Sequence, residues 1–306
     1  MAMTLVEAGK LSNDEILIGV LEEIVYESAL MTDLPFIEIL GNGLTYNRES
    51  TLGSVDFYDV GDTWVESTPT FDQHTATLKI LGGDADVDKF LKATRSNIQD
   101  LEAAIIALKA KGFRHKFEEM LIYGDNTTNS KQFDGIRLMI DTTTASDQVL
   151  AMSATGTTLT LAYIDALVDM VKPGKPDAFI MSRRSRRKIK ALTRLAGFNL
   201  ETDRNNFGLL IENLQGIPFW VNDWVLNTHT VAGSVETATT GASSSVIYAV
   251  KIGEGEFAGL TAPGGVMVEP IGTLESKDAD RTRIKGYMST VLFRTLSAAA
   301  LIGVTD

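Results

Sequence analysis

Residues 88–123 read DKFLKATRSNIQDLEAAIIALKAKGFRHKFEEMLIY, and the rest of the chain is arranged around this stretch. Leu91, Thr94, Ile98, Leu101, Ile105, Leu108, Phe117 and Leu121 recur at spacings of three and four, which puts them in one stripe on a helix. Gln99, Asp100, Glu102, Lys109, Lys111, Arg114, Lys116 and Glu118 fall mostly off that stripe. Ala, Leu, Lys and Glu dominate, all good helix formers. The spacing predicts a helix from Thr94 to Leu121 about 40 Å long. Gly112 weakens it by about 1 kcal/mol relative to Ala. One apolar stripe of this length needs a long surface beneath it, either a sheet or a neighbouring subunit.

Toward the N-terminus, residues 1–11 read as an untethered arm. Ser12-Asn13-Asp14-Glu15 is a capping-box pattern, and Ile16, Leu17, Val20, Leu21, Ile24 and Val25 follow at helical spacing. Pro35 ends that helix. Its apolar side packs either on its own core or on a neighbour. Residues 41–83 are punctuated by Gly41, Gly43, Gly53, Gly61, Gly82 and Gly83. Trp64–Thr68 and Thr75–Ile80 alternate as strands do, with Pro69 near a turn or on an edge. This predicts a long two-stranded β arm. An isolated hairpin is marginal in water, so the arm should lean on another surface. Its tip is acidic: Glu49, Asp56, Asp59, Asp62, Glu66 and Asp72 against Arg48. Asp84, Asp86 and Asp88 fail as a calcium loop, because Lys89 and Arg95 stand where Gly and Glu are needed. They read as carboxylates favoured by a helix N-terminus.

Toward the C-terminus the pattern is mixed. Residues 124–129 read as a loop, 132–136 (Gln-Phe-Asp-Gly-Ile) as a turn, and 141–158 as a Thr- and Ser-rich connection. A helix over Thr160–Val171 stops at Pro173-Gly174. Asp177–Ser182 is a buried strand by its apolar run, and Ser182 caps a helix over Arg183–Leu195 that ends at Gly197. Residues 216–226 read as a strand and 227–245 as a mobile surface loop. Val246–Val250 is a strand, Phe257–Val268 a glycine-rich turn region, and Thr282–Thr295 and Ala298–Val304 closing strands.

The chain has 306 residues, 44% hydrophobic and 22% charged, as in soluble globular proteins. A net charge of −12 opposes wrapping nucleic acid through phosphates. The absence of cysteine excludes disulfides, thiolate metal sites and cysteine nucleophiles. No apolar run reaches the length of a membrane span, and residues 1–15 do not form a secretory signal. His74, His115 and His229 have no metal or catalytic spacing, and no G-x-S-x-G or Walker motif is present. Gly253-Glu254-Gly255-Glu256 would repel the phosphate that a glycine loop cradles. No catalytic residue, metal site or cofactor is therefore expected. Arg183-Arg184-Ser185-Arg186-Arg187-Lys188 reads as a solvated helix face with some arginines paired to acids, ahead of a nucleic-acid patch. Arg281, Arg283 and Lys285 alternate, so a strand presents all three on one face, a plausible partner for the acidic arm tip.

This order of elements resembles the major capsid proteins of tailed double-stranded DNA phages, whose fold is shared with encapsulins. The resemblance is carried by the arm, the β loop and the long helix in succession. It also rests on Ala178-Phe179-Ile180-Met181-Ser182-Arg183-Arg184, Gly216-Ile217-Pro218-Phe219 and Phe133-Asp134-Gly135-Ile136. It implies an α+β capsid fold. The parts would be an N-terminal arm and helix (1–40), an extended β loop (41–83) and a peripheral domain with the spine helix (84–135). An axial domain (136–262) and closing strands shared between the two domains (263–306) would follow. It further implies a structural protein that self-assembles into hexamers and pentamers of an icosahedral head in the virion, formed in the host cytoplasm. That head would enclose double-stranded DNA without sequence-specific binding, with scaffolding, portal and decoration proteins as further partners and no membrane. The extended loop would lie over the neighbouring subunit. Asp56, Asp59, Asp62, Trp64 and Glu66 on the arm, and Arg281, Arg283 and Lys285 on the body, are the expected inter-subunit contacts. A long precursor segment before the arm is not seen, which points to its removal or to separate scaffolding. Lys79 lies at the loop's base, so covalent crosslinking through the loop is not expected. The alternatives are an encapsulin-type compartment and a soluble α+β enzyme.

Overall fold

The computed structural model describes residues 34–51, 53–95, 101–140, 147–152, 156–197, 200–204, 210–232, 235–237 and 244–305. In chain order these form β1 (Phe36–Glu38), β2 (Gly43–Thr51), β3 (Thr70–Thr77), β4 (Lys79–Asp88), α1 (Lys89–Arg95), α2 (Leu101–Tyr123) and α3 (Ile136–Met139). There follow β5 (Val149–Ala151), β6 (Thr157–Thr158), α4 (Leu161–Met170), β7 (Ala178–Met181), α5 (Arg183–Leu195), β8 (Glu201–Arg204), β9 (Leu210–Leu214) and β10 (Ile217–Val221). The chain closes with β11 (Thr230–Ala232), β12 (Val235–Thr237), β13 (Ser245–Val250), β14 (Phe257–Thr273), β15 (Ala279–Leu292) and β16 (Ala298–Thr305). The N-terminal arm, its capping box and the helix expected after it lie outside the described residues.

An eight-stranded sheet, β5-β16-β13-β7-β10-β9-β8 with β6 also on β16, is covered on both faces. All of β7 and β13 are buried. Successive residues point to opposite sides. Ala178, Ile180, Val246, Tyr248, Ala300 and Ile302 enter one core with Phe117, Leu121, Ile122 and Ile136 of α2 and α3. Phe179, Met181, Ile247, Ala249, Ala299 and Leu301 enter a second core with Ile164, Leu167 and Val168 of α4 and Ile189 of α5. Two-sided burial is why these strands read as continuous apolar runs. Ser182 caps α5 as expected, its hydroxyl accepting the Ser185 amide.

A second sheet, β1-β14-β15-β4, carries the spine. Ala85 and Val87 of β4 pack with Leu91 of α1 and Ile105 of α2. The stripe therefore rests on a sheet of its own chain, and its C-terminal end plugs the first core. At that end Gly124 and Gly135 bring the 133–136 turn against the helix: the Gly135 amide donates to Gly124 O at 2.8 Å. A Cβ on Gly124 would lie 2.2 Å from Phe133 O and 2.5 Å from Met120 O, both backbone atoms that cannot yield.

The opposite face of this sheet is charged. Arg281 forks onto Asp86 (2.6 and 2.7 Å) and Arg283 onto Asp84 (2.6 and 2.9 Å), while Lys285 pairs with Glu269 at 2.8 Å. Each Arg–Asp pair sits directly opposite in the β15–β4 register. This corrects the reading of the three aspartates. Only Asp88 caps α1, accepting the Phe90 and Leu91 amides at 2.8 and 3.3 Å. Asp84 and Asp86 are strand residues.

Other expectations also shift. Trp64–Thr68 is not a strand; the arm pairs β2 with β3, from Gly43↔Thr77 to Thr51↔Thr70. The 257–268 region is not a turn but the start of the 17-residue β14. Gly264 and Gly265, at φ +93° and +59°, form a bulge where the β14–β15 register slips between Thr261 and Val266. Within 141–158, the short strands β5 and β6 pair with β16. The strand expected over 216–226 ends at Val221. The 227–245 segment, expected as a loop, contains the β11–β12 hairpin and a fully buried His229; residues 233–234 and 238–243 lie outside the described residues.

Two glycines should respond with opposite sign. Gly124→Ala should destabilise the protein by more than about 3 kcal/mol or prevent folding, whereas Gly112→Ala, with nothing near the added Cβ, should stabilise it by about 0.5–1 kcal/mol. Urea unfolding checks both. The Arg281 fork holds the Asp86 carboxyl below the usual range. The depressed folded-state pKa makes this stabilisation fully present at neutral pH and removes it as pH falls below about 4. Asp86→Asn should cost about 1–3 kcal/mol near neutrality. Its deficit against the unsubstituted protein should narrow in acid, as read by unfolding at several pH values.

Candidate inter-subunit surface

The arm has a fixed root and a projecting tip. At the root, Tyr46, Leu44, Ala76 and Leu78 pack against Ile39, Ala258, Leu260 and Val291 of the body. Tyr46 Oη donates to Leu292 O at 3.2 Å, and Arg48 donates through Nε to Phe293 O at 3.1 Å and through Nη2 to Leu292 O. The Tyr46 ring stacks on His74 and meets Phe293 edge-on. Lys79, on the other side of the root, donates to Asn126 Oδ1 at 2.9 Å and Ser130 O at 2.8 Å. A cleft of about 250 Å³ opens between root and body, lined by Arg48, His74, Lys79, Asn126 and Asp134 among others. Its cations are engaged in these structural bonds.

The tip is held by short-range bonds alone among those described. Asp59 and Asp62 close a turn: Asp62 Oδ2 accepts the Asp59 amide at 2.7 Å, and Asp59 Oδ1 accepts the Val60 amide at 2.8 Å. Tyr58 stacks on Trp64 at 4.3 Å, and the Ser54 amide donates to Ser67 Oγ at 2.8 Å. Val55, Phe57 and Val60 are 95%, 104% and 102% exposed, and Trp64 77%. Large apolar side chains so grouped in water make the tip a candidate contact surface.

The residues singled out from the sequence thus separate into two sets. Asp56, Asp59, Asp62, Trp64 and Glu66 all lie on the exposed tip. Arg281, Arg283 and Lys285 do share one face of β15, but each has an acidic partner in its own chain. Within one chain the structure does not bring the two sets together. Arg48, the cation nearest the tip acids in sequence, is turned into the root. Sequence reasoning passed over Val55, Phe57 and Val60, although apolar residues without periodicity among glycines and aspartates have no core to enter. The basic helix α5 is partly neutralised, with Arg183 forked onto Asp223 at 2.7 and 2.9 Å and Lys190 on Glu212.

The same architecture occurs in known shell proteins. The SrpI encapsulin of Synechococcus elongatus PCC 7942 superposes with a TM-score of 0.68 at 16% identity, over 90% of this chain and 87% of that one. The capsid of an empty GTA particle gives 0.66 at 14% identity, over 91% and 90%. The capsid of cyanophage A-1(L) gives 0.66 at 14% identity, over 92% and 93%. At such identities the likeness is one of fold. No curated protein sequence matches the chain. The model of the phage capsid family matches residues 13–251, more than three-quarters of the polypeptide. The chain therefore belongs to the phage capsid family, and its fold is the one shared by phage heads and encapsulin shells.

Proposed function

We propose that this protein is the major capsid protein of a tailed phage, whose copies form hexamers and pentamers that close an icosahedral head around double-stranded DNA. The reading has it assemble in the host cytoplasm and reside in the virion, with scaffolding, portal and decoration proteins as further partners. It assigns residues 84–135 to a peripheral part and 136–262 to an axial part. The observation that carries it is the arm: a root fixed to the body by Arg48, Tyr46 and Lys79, and a tip that leaves Val55, Phe57, Val60 and Trp64 in water. A second copy supplies the surface that the tip lacks. Burying one such side chain contributes about 1.5–3 kcal/mol, against about 0–1 kcal/mol for an exposed ion pair.

The acids around the tip then act as a rim, and their partner is a cationic surface on the neighbour. Arg281, Arg283 and Lys285 are candidates only as shared partners, since each is already paired. The spine offers another shared surface: the sequence over 89–95 and 104–117 carries Lys89, Lys92, Arg95, Lys109, Lys111, Arg114 and Lys116 and no acid, with Lys89, Arg114 and Lys116 likewise paired within the chain. A net charge of −12 suits a container that holds DNA without gripping it.

The match to an encapsulin shell keeps a second reading, a compartment that packages protein. Nuclease-protected double-stranded DNA inside purified particles supports the head; a protein cargo without DNA supports the compartment.

The tip is tested by Phe57→Ala with Trp64→Ala. Losing two apolar contacts per copy should reduce shell yield by at least about ten-fold, seen by sedimentation and electron microscopy, with the melting temperature of the unassembled chain unchanged. Asp56→Lys with Glu66→Lys should have a smaller effect that grows at low salt. These two acids are better probes of charge than Asp59 and Asp62, which also hold the turn. Normal shell yield from the Phe57/Trp64 variant contradicts the proposal.

A further inference from the structure

The end of the spine helix meets the large sheet at a buried histidine. His229 has 0% exposure. Its amide donates to Ser244 O at 2.9 Å, and Ser244 Oγ donates to its carbonyl. Its Nε2 lies 2.6 Å from Oη of Tyr123, the last residue of α2. The same hydroxyl accepts the Leu226 amide at 3.0 Å. An amide can only donate, which leaves the hydroxyl hydrogen available to His229. We assign Nε2 as the acceptor on this pattern, and burial keeps the imidazole neutral.

We propose that Tyr123, His229 and Leu226 form a proton-sensitive latch that fastens the 222–229 segment to the spine helix, and that protonation of His229 opens it. The inference rests on the fold and holds whether or not the chain assembles. A proton on Nε2 turns an acceptor into a donor facing an oxygen whose own hydrogen already points at it. Among the described residues, Arg137 of α3, a cation, acts on His229. Tyr123 from α2 and Tyr248 from β13 are the other titratable groups of the cluster, and burial raises both, so they stay neutral hydroxyls in acid.

Burial first, and then the field of Arg137, bring the His229 pKa down to about 4. A released histidine returns to about 6.5. The open form therefore binds the proton more tightly. Opening is favoured as pH falls from about 6.5 toward about 4 and is level below that. From about pH 7 to about pH 5 the opening equilibrium should rise about twenty-fold. The connection so loosened joins the helix layer to the sheet layer.

Amide hydrogen exchange of peptides covering 222–229, in the full-length protein and corrected for intrinsic rates, tests this at about pH 7 and about pH 5. The unsubstituted protein should lose about twenty-fold protection. His229→Gln, whose Oε1 can accept the Tyr123 hydroxyl, should change by less than roughly two-fold. Tyr123→Phe should be poorly protected at both pH values. A histidine-ring NMR titration of the unsubstituted chain gives an independent reading should a variant fail to fold, with His229 titrating below about pH 5. Equal protection at both pH values, the same loss in His229→Gln, or a His229 titration near its ordinary value overturns the latch.

Discussion

The arm tip leaves large apolar side chains in water, and the proposed shell contact is what would bury them. Between Gly53 and Pro69 the backbone forms no sheet pairing. Its local order comes from one aspartate turn, one aromatic stack, one serine bond and the Val65 amide on the Tyr58 hydroxyl. None of these hides Val55, Phe57 or Val60. The root is different: hydrogen bonds to the backbone of Leu292 and Phe293 hold the arm in one direction. In the proposed docking, a fixed root lowers the entropy lost, and a bare tip supplies the driving force.

The body is built to bear such an arm. Strand β4 leaves the arm, forms one edge of the four-stranded sheet and runs directly into α1, so arm and spine are continuous through one strand. The sheet beneath the spine has an apolar face against the helix and a self-neutralised face of three acids and three cations. The spine's far end is locked by the close approach of Gly124 and Gly135 and by three fully buried side chains, Phe117, Leu121 and Ile122. The large sheet packs on that end through its alternate residues.

Much of this was legible in the sequence wherever the signal is local. Ser182, the helical spacing after it and Gly197 bounded α5 correctly over Arg183–Leu195. The stripe in 88–123 located the spine, and its C-terminal half lies where the spacing put it; residues 96–100 fall outside the described set. The apolar run marked β7 as buried, and β13 and β16 were read as strands. What escaped was non-local. Asp84 and Asp86 looked like helix-terminal acids because their arginine partners lie about two hundred positions away in sequence. Strand β14 looked like a turn because Pro263, Gly264 and Gly265 are turn residues, and a bulge inside a long hairpin uses the same residues. The alternation of Trp64–Thr68 mimicked a strand, yet pairing is decided by the partner, and the register of β2 reaches only Thr70. The acidic side of the tip was visible as charge. Its apolar side, Trp64 apart, was not, because exposure is a property of the fold.

The central claim is that the tip completes its packing only on another copy. The most direct measurement is a reconstruction of the particles formed by the concentrated protein. The account predicts closed shells in which residues 53–69 lie on a neighbouring subunit, with Phe57 and Trp64 buried at that contact. A protein that stays monomeric at high concentration, or shells in which those two side chains remain in solvent, would contradict it.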